Sequence, residues 1–73
     1  MDTLGEKLKR AREAAHLNQE SVAQALGTSR TLISKWERGE QEPRLHALQR
    51  LAGLYGVGLE GLVGANTPLS ADP

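Results

Sequence analysis

The sequence of 73 residues contains no cysteine, and Trp36 and Tyr55 are its only aromatic residues. Without cysteine there is neither a disulfide framework nor a thiolate metal site. With only two histidines and no cluster of carboxylates, we expect no metal site of any other kind. These features fit a reducing, cytoplasmic compartment, and they require small aliphatic side chains to fill the core.

Long apolar runs and catalytic motifs are also lacking. The apolar runs are too short to span a bilayer, and the first residues lack the apolar core of a signal peptide. There is no glycine-rich phosphate loop and no nucleophile beside a base, and the chain is too short to enclose a substrate pocket. We therefore expect no membrane association, no enzymatic activity, no catalytic residue and no cofactor.

Net charge is absent as well, because nine basic residues balance nine acidic ones. The balance is uneven along the chain, since residues 1–39 carry seven basic and five acidic residues and the remainder carries two and four. A basic surplus of two in one half is a weak indication of a polyanionic partner.

Apolar residues recur at helical spacing throughout, and no strand-like alternation is found. The pattern predicts five helices, at about residues 3–15, 19–26, 30–38, 44–55 and 59–63. Asn18 and Ser29 (in preference to Thr28) are the expected N-caps, and His16 occupies a position that favours left-handed backbone. The predictions describe a compact all-α domain over residues 1–64, followed by a flexible tail or the start of a linker at 65–73.

The junction of the second and third helices has the spacing of a helix-turn-helix. Counted from Gln19, the fifth residue is Ala23, small enough for two helices to cross closely, and the ninth is Gly27, which suits the turn. Apolar side chains at the remaining internal positions would fix this helix pair to the core, namely Val22, Leu26, Ile33 and Trp36.

The segment "LNQESVAQALGTSRTLISKWERGEQEP" resembles the helix-turn-helix of the Xre family, the phage Cro and lambda-repressor type. The resemblance extends over residues 3–63. It implies a compact five-helix, lambda-repressor-like domain that binds double-stranded DNA in a sequence-specific way and regulates transcription. We expect a homodimer on a near-palindromic operator, repressing by blocking polymerase; activation by contact with polymerase fits the residues equally.

Side chains of the third helix divide into two stripes. Ile33 and Trp36 should point inward, whereas Arg30, Ser34 and Arg38 follow an outward stripe that Thr31 and Lys35 flank. By resemblance, the expected base contacts are Arg30, Thr31, Ser34 and Lys35, and the expected backbone contacts are Gln19, Ser29 and Arg38. A solvated helix face is the alternative explanation of these cations.

Three further expectations lie away from the bases, and the resemblance implies the first and the last of them. Glu37 should form a structural ion pair with Arg12, and an ordinary surface contact is the alternative. The loop after the third helix carries Glu40 and Glu42, which should repel the DNA backbone. The last helix is the possible dimer interface, through Val57, Leu59, Leu62 and Val63.

A second class of function fits the neutral charge and the acidic loop. The chain could be an antitoxin or co-regulator module whose main role is to bind another protein, such as a toxin or RNA polymerase. Salt-dependent retention on DNA would separate this alternative from a DNA-binding regulator.

Overall fold

The computed structural model describes residues 3–63, with only the backbone of Val63. Five helices occupy this range and no strand does: α1 (Leu4–Ala14), α2 (Gln19–Leu26), α3 (Arg30–Arg38), α4 (Leu45–Tyr55) and α5 (Leu59–Val63). The all-α prediction is therefore confirmed, and the predicted tail at 65–73 lies outside the described residues. None of these helices has the length and apolar character needed to cross a membrane.

The helix boundaries follow from side-chain caps and left-handed residues. Thr3 and Glu6 form a reciprocal capping box at the start of α1. The Asn18 side chain accepts a hydrogen bond of 2.8 Å from the backbone N–H of Ser21, which begins α2. At the other end of α1, His16 has φ of 60°, the left-handed conformation that its position predicted.

Among the described residues, ten apolar side chains from all five helices form one buried core: Leu8, Val22, Ala23, Ile33, Trp36, Leu48, Leu51, Ala52, Tyr55 and Leu62. Helix α1 packs against α3 and α5, while α2 packs against α3 and α4. The two helices of the predicted helix-turn-helix are thus held from behind by the other three, and no other part of residues 3–63 covers the outer side of α3.

Gly5 allows α1 to lie directly on the end of α3. A Cβ atom at Gly5 would overlap the backbone carbonyl oxygen of Glu37 and lie 2.8 Å from that of Trp36. Only a residue without a side chain permits this separation of the two helices. The contact fixes the C-terminal end of α3 relative to the rest of the domain.

Candidate nucleic-acid interface

The two faces of α3 differ sharply in exposure. Ile33 and Trp36 are 1% and 7% exposed and belong to the core. Among the outward residues, Ser34 is half-buried. The other four are exposed, namely Arg30, Thr31, Lys35 and Arg38. The inward face therefore fixes the helix, and the outward face presents hydroxyl, ammonium and guanidinium groups to solvent.

The exposed face of α3 and the start of α2 enclose a shallow concavity of about 210 Å³. It is lined by Gln19, Arg30, Thr31, Ser34 and Arg38. Each of these side chains can donate hydrogen bonds, and two of them carry a permanent positive charge. Five of the seven residues predicted to contact DNA thus lie together around one opening.

The other two predicted contact residues flank this concavity on α3. Ser29 is the N-cap of the helix, and its hydroxyl oxygen accepts a hydrogen bond of 3.2 Å from the backbone N–H of Leu32. Lys35 is exposed in the last turn. The seven residues predicted to contact DNA therefore lie on α3, at its N-cap or at the start of α2.

Arg12 and Glu37 are joined by two hydrogen bonds. Arg12 Nε and Nη2 donate to the two carboxylate oxygens of Glu37 at 2.7 and 3.2 Å. The side chains are only 11% and 5% exposed. The hydrogen bond to Glu37 raises the pKa of Arg12 above its ordinary value, although burial acts in the opposite direction. The carboxylate next to Trp36 is thus paired with a cation inside the domain.

Two further contacts extend this ion pair to neighbouring elements. Arg12 Nη1 donates to the backbone carbonyl of Leu17 at 2.9 Å, and Gln19 Nε2 donates to Glu37 Oε1 at 3.0 Å. The Gln19 contact joins a residue predicted to touch the DNA backbone with the ion pair. From the sequence alone, the Gln19 contact and the ion pair are separate predictions, because no spacing rule links residues 19 and 37.

The charges of Glu37 and Arg12 also influence the side chain of Tyr55 on α4. Burial raises its pKa to about 12, and the negative charge of Glu37 adds to the shift. The phenol therefore stays protonated to a higher pH than that of an ordinary tyrosine, and its side chain supplies apolar surface to the core.

The loop after α3 brings an acidic group to one of the predicted DNA contacts. Arg38 Nε and Glu40 Oε2 are 3.3 Å apart, and both side chains are more than half exposed. Glu42 is also exposed. The carboxylate predicted to repel DNA therefore lies beside a cation predicted to bind it.

Arg50, which had no predicted role, connects α4 to the end of α2. Its guanidinium donates to the backbone carbonyl of Ala25 at 3.1 Å and to that of Leu26 at 3.5 Å. These carbonyls lie in the last turn of α2, where a cation is favourable. A basic residue in the sequence does not reveal which helix end it will cap, so no pattern would have identified this contact.

The predicted dimer residues are not all on the surface. Val57 is 37% exposed and Leu59 is half-buried, but Leu62 is 1% exposed because it packs in the core of its own chain. The side chain of Val63 lies outside the described part of the structure. Leu62 is therefore unavailable to a partner, and Val57 and Leu59 remain as candidates.

Known proteins resemble the chain in both sequence and fold. It is 38% identical over 58 residues to the HTH-type transcriptional activator BcrR of Enterococcus faecalis, a match over 80% of this chain and 28% of that protein. It is 37% identical over 57 residues to the cryptic phage CTXphi transcriptional repressor RstR of Vibrio cholerae, covering 78% and 51%. The chain thus spans only part of the length of these relatives.

The fold matches the crystal structure of the P22 c2 repressor protein in complex with a synthetic operator. The TM-score is 0.81 at 26% sequence identity, with 90% of this chain and 100% of that chain covered. A family model described as helix-turn-helix matches residues 8–62. With its helix-turn-helix formed by α2 and α3, the chain belongs to this Xre-like family of DNA-binding transcriptional regulators.

Proposed function

We propose that this chain binds a near-palindromic operator in double-stranded DNA as a homodimer and thereby regulates transcription. The observation that carries the proposal is the concavity beside α3, where five side chains that can donate hydrogen bonds converge on a face opposite the buried one. The fold of this chain is similar to that of a repressor whose structure was determined in complex with operator DNA, which supports the same use of this face.

Base recognition is assigned to the outward residues of α3. An α-helix fits the major groove, where arginine or lysine donates to guanine O6 and N7 and hydroxyl groups can contact several bases. Arg30 and Thr31 lie in the first turn of α3, and Ser34 and Lys35 follow one turn later. These four residues would contact successive base edges along the groove.

Backbone recognition is assigned to Gln19, Ser29 and Arg38. The Ser29 oxygen already accepts a hydrogen bond from Leu32, so its hydroxyl hydrogen is available to a phosphate oxygen. Arg38 would exchange Glu40 for a phosphate at small cost, because an exposed ion pair contributes little stability. These contacts would position α3 without reading the sequence.

Dimerisation is assigned to the surface around Val57 and Leu59. Because little apolar area is exposed there, we expect a free chain that is mostly monomeric at micromolar concentration and that pairs on DNA. The two copies of α3 would lie about 34 Å apart, one turn of DNA. Sedimentation of the free and DNA-bound chain tests this; a tight free dimer, or one chain per operator without half-site symmetry, contradicts it.

Both repression and activation of transcription are compatible with this binding mode. A bound dimer represses by covering the polymerase site, and it activates if its surface contacts RNA polymerase. The similar proteins include one named as an activator and one named as a repressor.

Selection of bound duplexes from a random DNA pool, followed by footprinting, tests the proposal directly. Arg30→Ala and Lys35→Ala should each lose about 1–3 kcal/mol of discrimination at one base position while the fold is retained. Lys9→Ala removes an exposed cation from α1 and is the matched control, which should keep the selected sequence. An unchanged site preference in both α3 variants would refute the assignment.

A further inference from the structure

One buried carboxylate serves both the interior of the domain and its candidate DNA-binding surface. We infer that Glu37 is a positioning residue of the DNA interface, which orients the side-chain amide of Gln19 toward a phosphate group. The inference rests on the proposed function. It gives Glu37 a second task besides its ion pair with Arg12.

The orientation of the Gln19 amide follows from the chemistry of its partner. An ionised carboxylate only accepts hydrogen bonds, so the group facing it must be the donor end of the amide. Gln19 Nε2 lies 3.0 Å from Glu37 Oε1, within hydrogen-bonding distance. The amide nitrogen is therefore fixed toward Glu37, and rotation of the amide by 180° would bring two oxygens together.

Glu37 is held firmly enough to impose this orientation. Its side chain is 5% exposed, and Arg12 contacts both of its carboxylate oxygens. Arg12 is fixed in turn by the carbonyl of Leu17. Paired, charge-assisted hydrogen bonds of this kind restrict geometry strongly. A continuous set of contacts thus runs from the turn after α1 to the first residue of α2.

The consequence for DNA binding comes from the second N–H of the amide. Nε2 carries two hydrogens, and Glu37 accepts only one of them from Gln19. Gln19 lines the concavity together with Arg30 and Arg38, so the second hydrogen can be donated to an oxyanion there. Without Glu37 the amide would flip freely, and half of its orientations would turn a carbonyl oxygen toward the phosphate.

A double-mutant cycle separates positioning from folding. The operator Kd is compared among the wild-type chain, Glu37→Gln, Gln19→Met and the double variant, at a temperature where each is folded. Glu37→Gln should weaken binding about tenfold, the effect of roughly one hydrogen bond, and only about twofold when Gln19 is already Met. Leu51→Val, a core change in α4, should lower Tm and leave Kd unchanged. Losses that simply add would overturn the inference.

Exchange of the Gln19 side-chain amide protons, followed by NMR in the wild-type chain, tests the same contact without any Glu37 variant. The exposed Gln24, Gln41 and Gln49 are internal references. One Gln19 proton should exchange at least about tenfold more slowly than the references, and the other should shift when operator is added. Exchange at the reference rate overturns the inference alone, whereas a wild-type chain that binds no DNA overturns the proposed function with it.

Discussion

Residues 3–39 combine apolar packing with directional polar contacts, whereas residues 44–63 depend mainly on apolar packing. Each of the first three helices begins with a side chain that caps it, and a buried ion pair joins the first helix to the third. Helix α4 has Arg44 at its N-cap position, where the described part of the chain shows no side-chain hydrogen bond. It nevertheless supplies four of the ten core residues, namely Leu48, Leu51, Ala52 and Tyr55.

The difference corresponds to what each region has to do. Apolar burial is non-directional, so it stabilises α4 against the domain without defining positions closely. Hydrogen bonds depend on distance and angle, and here they define the starts of α1, α2 and α3 and the position of the Gln19 side chain beside Glu37. The concavity lies in the region with the polar contacts.

Removal of one member of the buried ion pair should have the largest effect on stability. Glu37→Ala or Arg12→Ala leaves the other charge buried without its partner, which costs about 3–5 kcal/mol, a large share of a small domain's stability. Arg50→Ala, which removes polar contacts from the second region, is the control and should cost far less. Thermal unfolding compares both; a Tm shift of only a degree or two in the ion-pair variants would mean that the pair behaves like an exposed one.

Alkaline pH should weaken the domain through Tyr55, which lies in the second region and responds to a charge in the first. Its folded pKa of about 12 exceeds the unfolded value of about 10, so the folded state binds the proton more tightly. This contribution is complete below pH 10 and is lost as the pH rises to 12, by up to about 2–3 kcal/mol. Tyr55→Phe cannot titrate and should show a smaller loss between those pH values. If the Tm values of the wild-type chain and of Tyr55→Phe fell equally over this alkaline range, the assignment would be wrong.

The same substitution should have opposite signs in the two regions. Gly5→Ala forces a Cβ atom against the carbonyl oxygens at the end of α3, and such overpacking typically costs about 1–3 kcal/mol. Gly53→Ala on α4 meets no atom of residues 3–63 within 4 Å and should stabilise the helix by about 0.5–1 kcal/mol. Unfolding in denaturant gives both values. Equal effects would show that the approach of α1 to α3 is not a constraint.

Most of the fold could be predicted because its signals are local. The caps Asn18 and Ser29 and the left-handed His16 each depend on residues within one turn of the chain. The helix bounds were predicted to within about one residue for that reason. Gly5 was not recognised, because its role depends on carbonyl groups more than thirty residues away in sequence.

The candidate site was predictable in its composition but not in its connections. The periodicity of α3 identified the outward residues, and the resemblance indicated the Arg12–Glu37 pair. The contact between Gln19 and Glu37 and the pairing of Arg38 with Glu40 depend on side-chain conformation, which no spacing rule provides. Burial of Leu62 likewise depends on how α5 packs, since an apolar residue in a short helix fits a core and an interface equally well.

The smallest expected change concerns the loop that separates the two regions. Glu40 lies 3.3 Å from Arg38, and neutralising it should release that cation to DNA phosphates. Phosphate contacts contribute about −0.9 each to the slope of log K against log salt. We therefore expect Glu40→Gln with Glu42→Gln to tighten binding to all DNA by a few-fold, more at low salt than at high, and to increase the magnitude of that slope.

Base discrimination should be almost unchanged in this double variant, because it depends on other residues of α3. Glu60→Gln makes the same kind of charge change on α5, away from the lining of the concavity, and should alter the binding of random DNA less. Titration of random-sequence DNA at several salt concentrations compares the three proteins. If the loop variant binds random DNA at low salt no better than the parent, the loop does not approach the phosphate backbone. The orientation proposed for α3 in the groove would then be wrong too, because the chain leaves α3 through this loop.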